Sequence, residues 1–223
     1  MKKIVSVMLA FALLFAALPM GAMASQVDER EQMLAKACAA FPEYAAKIVA
    51  DTCASAFRSA EPRKTSFTET RSISENEFIV YTEYSDGLVA LDEVSMEREV
   101  IYNSTDDAIT AINVDITVKA TCSETTAYFK VSNIKFTINT SNYDRITSIG
   151  TPTVHNPPIS YNDSCSYFSS ELSKNLVENS VQKAYVCYPL SFKYAPYGGY
   201  EYSSKLWVEV GNNSLSVHHD LWQ

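Results

Sequence analysis

The sequence predicts an α+β fold that is mostly antiparallel β-sheet, a sandwich or partly open barrel, with N-terminal helices and one later amphipathic helix packed on the sheet. Three observations predict it. The stretch Ile109–Thr140 alternates apolar and polar residues in two long runs, the period of a half-buried strand. Turn-forming groups such as Asp86-Gly87, Gly198-Gly199 and Gly211-Asn212-Asn213 separate further runs of strand-favouring residues. Two other segments carry the i, i+3, i+4 spacing of a helix face.

Residues 1–24 read as a secretory signal peptide. Lys2 and Lys3 precede an apolar run, Ile4–Leu18, and Ala22-Met23-Ala24 places small residues at the cleavage positions. The apolar run is short for a transmembrane anchor and no basic stop-transfer cluster follows it. No cysteine follows it to take a lipid, and the C-terminus carries no apolar anchor tail. The expectation is a bacterial type of export, cleavage near Ala24, and a protein that is secreted or associated with the cell wall.

Removal of 24 of the 223 residues leaves 199, enough for one domain with a sizeable core. The full chain has 18 basic and 26 acidic residues, and losing Lys2 and Lys3 leaves 16 against 26, a net charge of −10. Such a surface is repelled by phosphate backbones and anionic lipid, so no nucleic-acid partner is expected.

A helical segment is expected over 25–60. Asp28 and Glu31 form a capping box, and Leu34, Ala37, Cys38 and Phe41 fall on one face. Pro42 interrupts this helix and opens a second, with Ala45, Ile48, Val49, Thr52, Cys53 and Ala56 on one side. The linker Glu61-Pro62-Arg63-Lys64 leads to a β-rich domain, 61–223. Thr65–Ile73 and Glu77–Tyr84 are its first strands, followed across the Asp86-Gly87 turn by Leu88–Leu91 and Val94–Tyr102.

The central hairpin has Ile112, Val114, Ile116, Val118 and Ala120 on one face, then Phe129, Val131, Ile134, Phe136 and Ile138. The phase slips at Ser132-Asn133, as a β-bulge requires if the apolar face is to stay inward. Tyr143–Val154 is strand-like, and His155-Asn156-Pro157-Pro158 is a loop. Residues 169–186 predict a helix with Phe168, Leu172, Leu176, Val177, Val181, Ala184 and Tyr185 on one stripe. Three strands close the chain: Tyr188–Tyr197, Tyr200–Val210 and Leu215–Trp222.

Five cysteines, Cys38, Cys53, Cys122, Cys165 and Cys187, are candidates for disulfides in an exported chain. Their odd number leaves at least one as a thiol or paired to another chain. Bridges between helix and sheet are expected, because the predicted helices separate Cys38 from Cys53 and Cys165 from Cys187. No C-x-x-C is present, and none of the cysteines is read as a metal ligand.

His155, His218 and His219 are the three histidines. His218-His219-Asp220 resembles a metal cluster only in one dimension, since neighbours on a strand point to opposite faces. A nucleophile pair built on Cys122 or Cys165 is opposed by the inward phase of Cys122. No hydrolase, zinc-protease or phosphate-loop motif occurs, so neither catalytic residues nor a cofactor are assigned. The aromatic cluster Tyr185, Tyr188, Tyr194, Tyr197, Tyr200, Tyr202 and Trp207 is the candidate surface, with Tyr194, Tyr197, Tyr200, Tyr202 and Trp207 as its ligand-binding residues, because flat rings with polar tips suit proteins and glycans. Strands also favour tyrosine for packing alone.

The functional expectation is a secreted, non-catalytic binding module with a protein or glycan partner. A membrane-active, bacteriocin-like protein is the first alternative, on the amphipathic period of 109–140. A cell-envelope hydrolase without a recognisable motif is the second. The facing of the hairpin is testable at once. Ile116→Asp should unfold the domain, because it buries an unpaired carboxylate, while Thr117→Asp should be tolerated. Equal denaturation midpoints for the two variants would refute the assignment.

Overall fold

The computed structural model describes residues 29–49, 65–105, 107–123, 125–156, 163–194 and 200–222. The predicted signal peptide, Asp28, the second half of the second helix with Cys53, the linker 61–64, and Tyr197 with Gly198-Gly199 lie outside the described residues.

Two short helices, α1 (Glu29–Ala40) and α2 (Ala45–Ile48), precede the strands. A six-stranded sheet follows in strict sequence order: β1 (Thr65–Ser74), β2 (Glu77–Tyr84), β3 (Val89–Tyr102), β4 (Ile109–Cys122), β5 (Tyr128–Asn139) and β6 (Arg145–His155). The second sheet is built from β7 (Ser164–Tyr167), β8 (Ser173–Asn175), β9 (Ala184–Tyr194), β10 (Tyr200–Gly211) and β11 (Ser214–Trp222). Its order is β11-β10-β9-β7, with β8 on β9 beside β7. All the strand pairs are antiparallel and neither sheet closes on itself.

Alternation explains the layering. Val114, Ile116, Val118, Ala120 and Cys122 of β4 share one face with Val131, Ile134 and Phe136 of β5. This face packs against Val186, Tyr188, Leu190 and Phe192 of β9 and Leu206, Val208 and Val210 of β10. The odd residues of β2 and β3 point the other way. Ile79, Tyr81, Val89 and Leu91 are covered by Met33, Leu34, Ala37, Phe41 and Ile48 of the helical segment. The result is three layers: helices, six-stranded sheet, second sheet.

The helices are held by charge as well as by apolar contact. Lys36 bonds Glu77 and Glu93, while Glu29 takes Lys130 at 2.9 Å and Lys119 at 3.3 Å. Burial works against the charge of Glu29, but the two lysines more than offset it and hold its carboxyl below the usual range. Arg71 of β1 donates to Ala40 O at 2.6 Å and lies over the Phe41 ring, so a cation sits at the carbonyl end of α1.

The bulge falls where the phase slip places it. Ile116 pairs with Ile134 and Val118 with Val131, so β5 spends one residue more than β4. Asn133 takes φ 61° there, and Gly150 of β6 takes φ 79° between the neighbouring pairs Ser132–Thr151 and Ile134–Ile149. The Asp86-Gly87 turn also forms as read, with Gly87 at φ 83°. The two predicted pieces Leu88–Leu91 and Val94–Tyr102 are one continuous strand, β3.

Two expectations are corrected. Residues 169–186 do not form a helix. A 3-10 turn at Ser169–Glu171 and the short β8 precede an irregular passage, and β9 begins at Ala184. Asn and Ser compete with a helix by bonding the backbone locally. Here the Asn175 amide donates to the carbonyls of Val177 and Lys183, and Asn179 Oδ1 accepts from Val181 and Gln182. The passage links the sheets instead: Ile146 N donates to Leu176 O, and Glu178 N to Asp144 O. Val181 is 93% exposed, so the supposed stripe has no common burial.

The second correction concerns cysteine. No disulfide joins the described cysteines. Cys122 and Cys165 are buried among apolar side chains of the interlayer core, where a thiol behaves as a small hydrophobe. Burial raises the Cys165 thiol far above its ordinary range.

Pro189 sits within β9, flanked by β10 and interrupted neighbours. Its carbonyl accepts Phe168 N, so its missing N–H faces the same gap between β7 and β8, where no ladder partner is lost.

Gly150 has a sharper requirement than Gly87. A Cβ on Gly150 would lie 2.7 Å from Ser132 O and 2.8 Å from Ile134 Cγ1, while one on Gly87 meets nothing within 4 Å. Gly87→Ala should therefore cost about 1–2 kcal/mol for the left-handed backbone alone. Gly150→Ala should cost about 1–3 kcal/mol more through overpacking. Urea unfolding measures both, and equal costs would refute the close approach.

Candidate functional site

Three polar side chains meet inside the sandwich. Asp92 comes from β3, Ser204 from β10 and His219 from β11, all on faces that look into the interlayer core. His219 Nδ1 donates to Asp92 Oδ1 at 3.1 Å, and His219 Nε2 is hydrogen-bonded to Ser204 Oγ. Tyr84 OH donates to the His219 carbonyl at 2.5 Å. Connectivity of this kind, serine to histidine to aspartate, is that of a nucleophilic triad. Access is what it lacks: Asp92 is 0% exposed, and Ser204 and His219 are each 1% exposed. Asp92 Oδ2 is also buried without a hydrogen-bond partner among the described residues. The arrangement is a polar bridge between the sheets.

The sequence reading missed this group because Asp92, Ser204 and His219 come from separate strands, and no local motif records their meeting. The available signal was alternation. Extending the inward phase of Leu206, Val208 and Val210 places Ser204 inside, and extending that of Val217 places His219 inside. The neighbouring histidine does point the opposite way: His218 lies outside against Trp207. His155 stacks on Tyr128 with ring centroids 4.4 Å apart.

The sequence-predicted aromatic surface is divided by the same alternation. Tyr188 and Tyr202 are not on the surface: both are buried in the interlayer core. Tyr194 and Tyr200 pair at the connected end of the β9–β10 hairpin. Trp207 points outward from β10 and is half-buried. It meets two rings that complete a tier across three strands: Tyr185 of β9 at 5.4 Å and His218 of β11 at 5.9 Å, the latter within 10° of parallel. Register puts Lys205 with Asp220, and Glu209 with Ser216, on the same face to either side.

A second concave surface lies on the six-stranded sheet, beyond the reach of the helices. It is a groove of about 510 Å³ whose walls include Glu97, Glu99, Asn113, Asp115, Lys135 and Thr137. These side chains interact across strands: Lys135 with Asp115 at 3.2 Å, and Thr137 Oγ1 with Asn113 Oδ1 at 2.9 Å. Among the described residues, no group of three or more His, Cys, Asp or Glu side chains is arranged to hold a metal ion. No described helix is long and apolar enough to cross a membrane. The chain matches no protein-family model, no curated protein and no solved structure.

The polar bridge has unequal members. His219→Ala leaves both Asp92 Oδ1 and Ser204 Oγ buried without their partner, at about 1–3 kcal/mol each. Ser204→Ala leaves only His219 Nε2 without its partner and should cost about 1–3 kcal/mol in all. Urea midpoints of the two variants check this, and a serine change as costly as the histidine change would show the order to be wrong.

Proposed function

We propose that the chain is exported and acts as a non-catalytic binding module for a glycan. The observation that carries the reading is the tier of Tyr185, Trp207 and His218 on the outer face of the second sheet. Rings of this kind offer sugars an apolar face, and the polar groups beside them can meet hydroxyls. Rigid strands hold all three, so little side-chain freedom is lost on binding.

Two further points support this reading over its alternatives. The Ser204 hydroxyl is closed off inside the sandwich, where an acyl substrate does not reach it. The apolar face of the β4–β5 hairpin is already occupied by the second sheet, so its period is accounted for by folding.

The test is thermal unfolding of the chain from Ser25 onward against soluble envelope and host glycans. A ligand that binds only the folded state raises the midpoint by mass action. A dose-dependent rise with one glycan class, abolished by Trp207→Ala, is the expected result. No rise with any glycan, or a rise that survives the substitution, would overturn the reading.

A further inference from the structure

The far half of β3 leaves one side of its backbone without a neighbouring strand among the described residues. β2 accompanies β3 only as far as the Glu77–Ser95 pair, with Met96 N donating to Asn76 O at 2.8 Å just beyond it. The chain then turns back into β1. β3 continues to Tyr102 with β4 on one side. No strand of the described residues lies along its other side.

Backbone direction can be read from two bonds. Met96 N–H points toward the β2 side, whereas Val89 O accepts Ser123 N on the β4 side. N–H and C=O of one residue point the same way and alternate along a strand. Arg98 and Val100 therefore present their N–H and C=O groups away from β4, along an open edge. Proteins usually blunt such an edge with lysine, proline or a covering segment. This one carries Val100, Ile101 and Tyr102, which are 38%, 36% and 58% exposed, with Ile109 opposite Tyr102 at 45%.

We propose that Glu97–Tyr102 is a strand-addition site that receives an extended peptide segment alternating basic and apolar side chains. The backbone supplies the affinity and the two faces supply the choice of partner. Glu97 and Glu99 point to the outer face, so residues placed across from them are matched by lysine or arginine. Val100 points to the inner face, where Ile112 and Ile138 lie beside it on β4 and β5, and an apolar residue fits across from it. Arg98 shares that face but folds back along the strand, its guanidinium 3.6 Å from the Met96 sulfur. The site goes beyond the glycan reading and shares none of its aromatic residues.

An acetylated, amidated octapeptide of alternating lysine and valine is a suitable probe, titrated by calorimetry into the chain from Ser25 onward. Saturable binding is expected. It should weaken at least tenfold for the Glu97→Lys/Glu99→Lys double variant and for Val100→Pro, which removes an edge donor without touching the β4 ladder. The same peptide N-methylated at alternate amides should not bind, a comparison that needs no protein variant. Trp207→Ala should leave peptide binding unchanged, so failure of the glycan reading and failure here are separable.

Absence of saturable binding would overturn the proposal, as would equal binding of the N-methylated peptide. So would sedimentation showing that the edge is taken by a second copy of the chain, in a dimer dispersed by Val100→Pro.

Discussion

The six-stranded sheet must bury apolar side chains on both faces at its β2–β3 end and on only one face at its β4–β5 end. That asymmetry sets the rest of the molecule. The inner face is continuous and takes the whole second sheet. The outer face carries an apolar patch where Ile79, Tyr81, Val89 and Leu91 project, and the described helices cover that patch. Lysines and glutamates line the border: Lys36, Lys119 and Lys130 meet Glu29, Glu77 and Glu93 where helix gives way to open sheet. Beyond the border, carboxylates, amides and hydroxyls face water directly.

The parts of this plan that were legible in the sequence are those fixed by short-range pattern. The Ile109–Thr140 hairpin, its slip at Ser132-Asn133 and the Asp86-Gly87 turn each depend on neighbours within a few residues. They appear in the structure as read. The 169–186 segment failed because its apolar spacing satisfied a helix while its asparagines satisfied turns. The competition was settled by contacts with β6 and β9, which no local pattern contains. The candidate binding surface was half legible for a similar reason. Trp207 stands out by its chemistry, but Tyr202 lies on the opposite kind of face, and His218 sits in a His-His-Asp run whose spacing imitates a metal cluster. Consistent use of strand phase separates these three.

The carboxylates divide the interior labour of the sandwich. At one end Asp92 meets His219. At the other, Asp144 is buried and accepts from the backbone of Asn139 and Asn213, each at 2.9 Å, while Glu178 accepts from Asp144 N and Asn212 N. Each end of the two-sheet stack is thus joined by an ionisable group that accepts from a different layer or turn. Buried polar groups of this sort add less to stability than to uniqueness, because a shifted register leaves them without partners.

The strict order of β1 to β6 has a temporal consequence. Every pairing in that sheet joins strands adjacent in the chain, so the ladder can grow one hairpin at a time with short loops to close. The bond from Asp92 to His219 spans 127 positions and closes only when β11 arrives. A chain emerging from one end would hold a nearly complete first sheet, its inner face still wet, until its final strand was available. Assembly is therefore local for most of the sequence and depends at the last step on the segment made last.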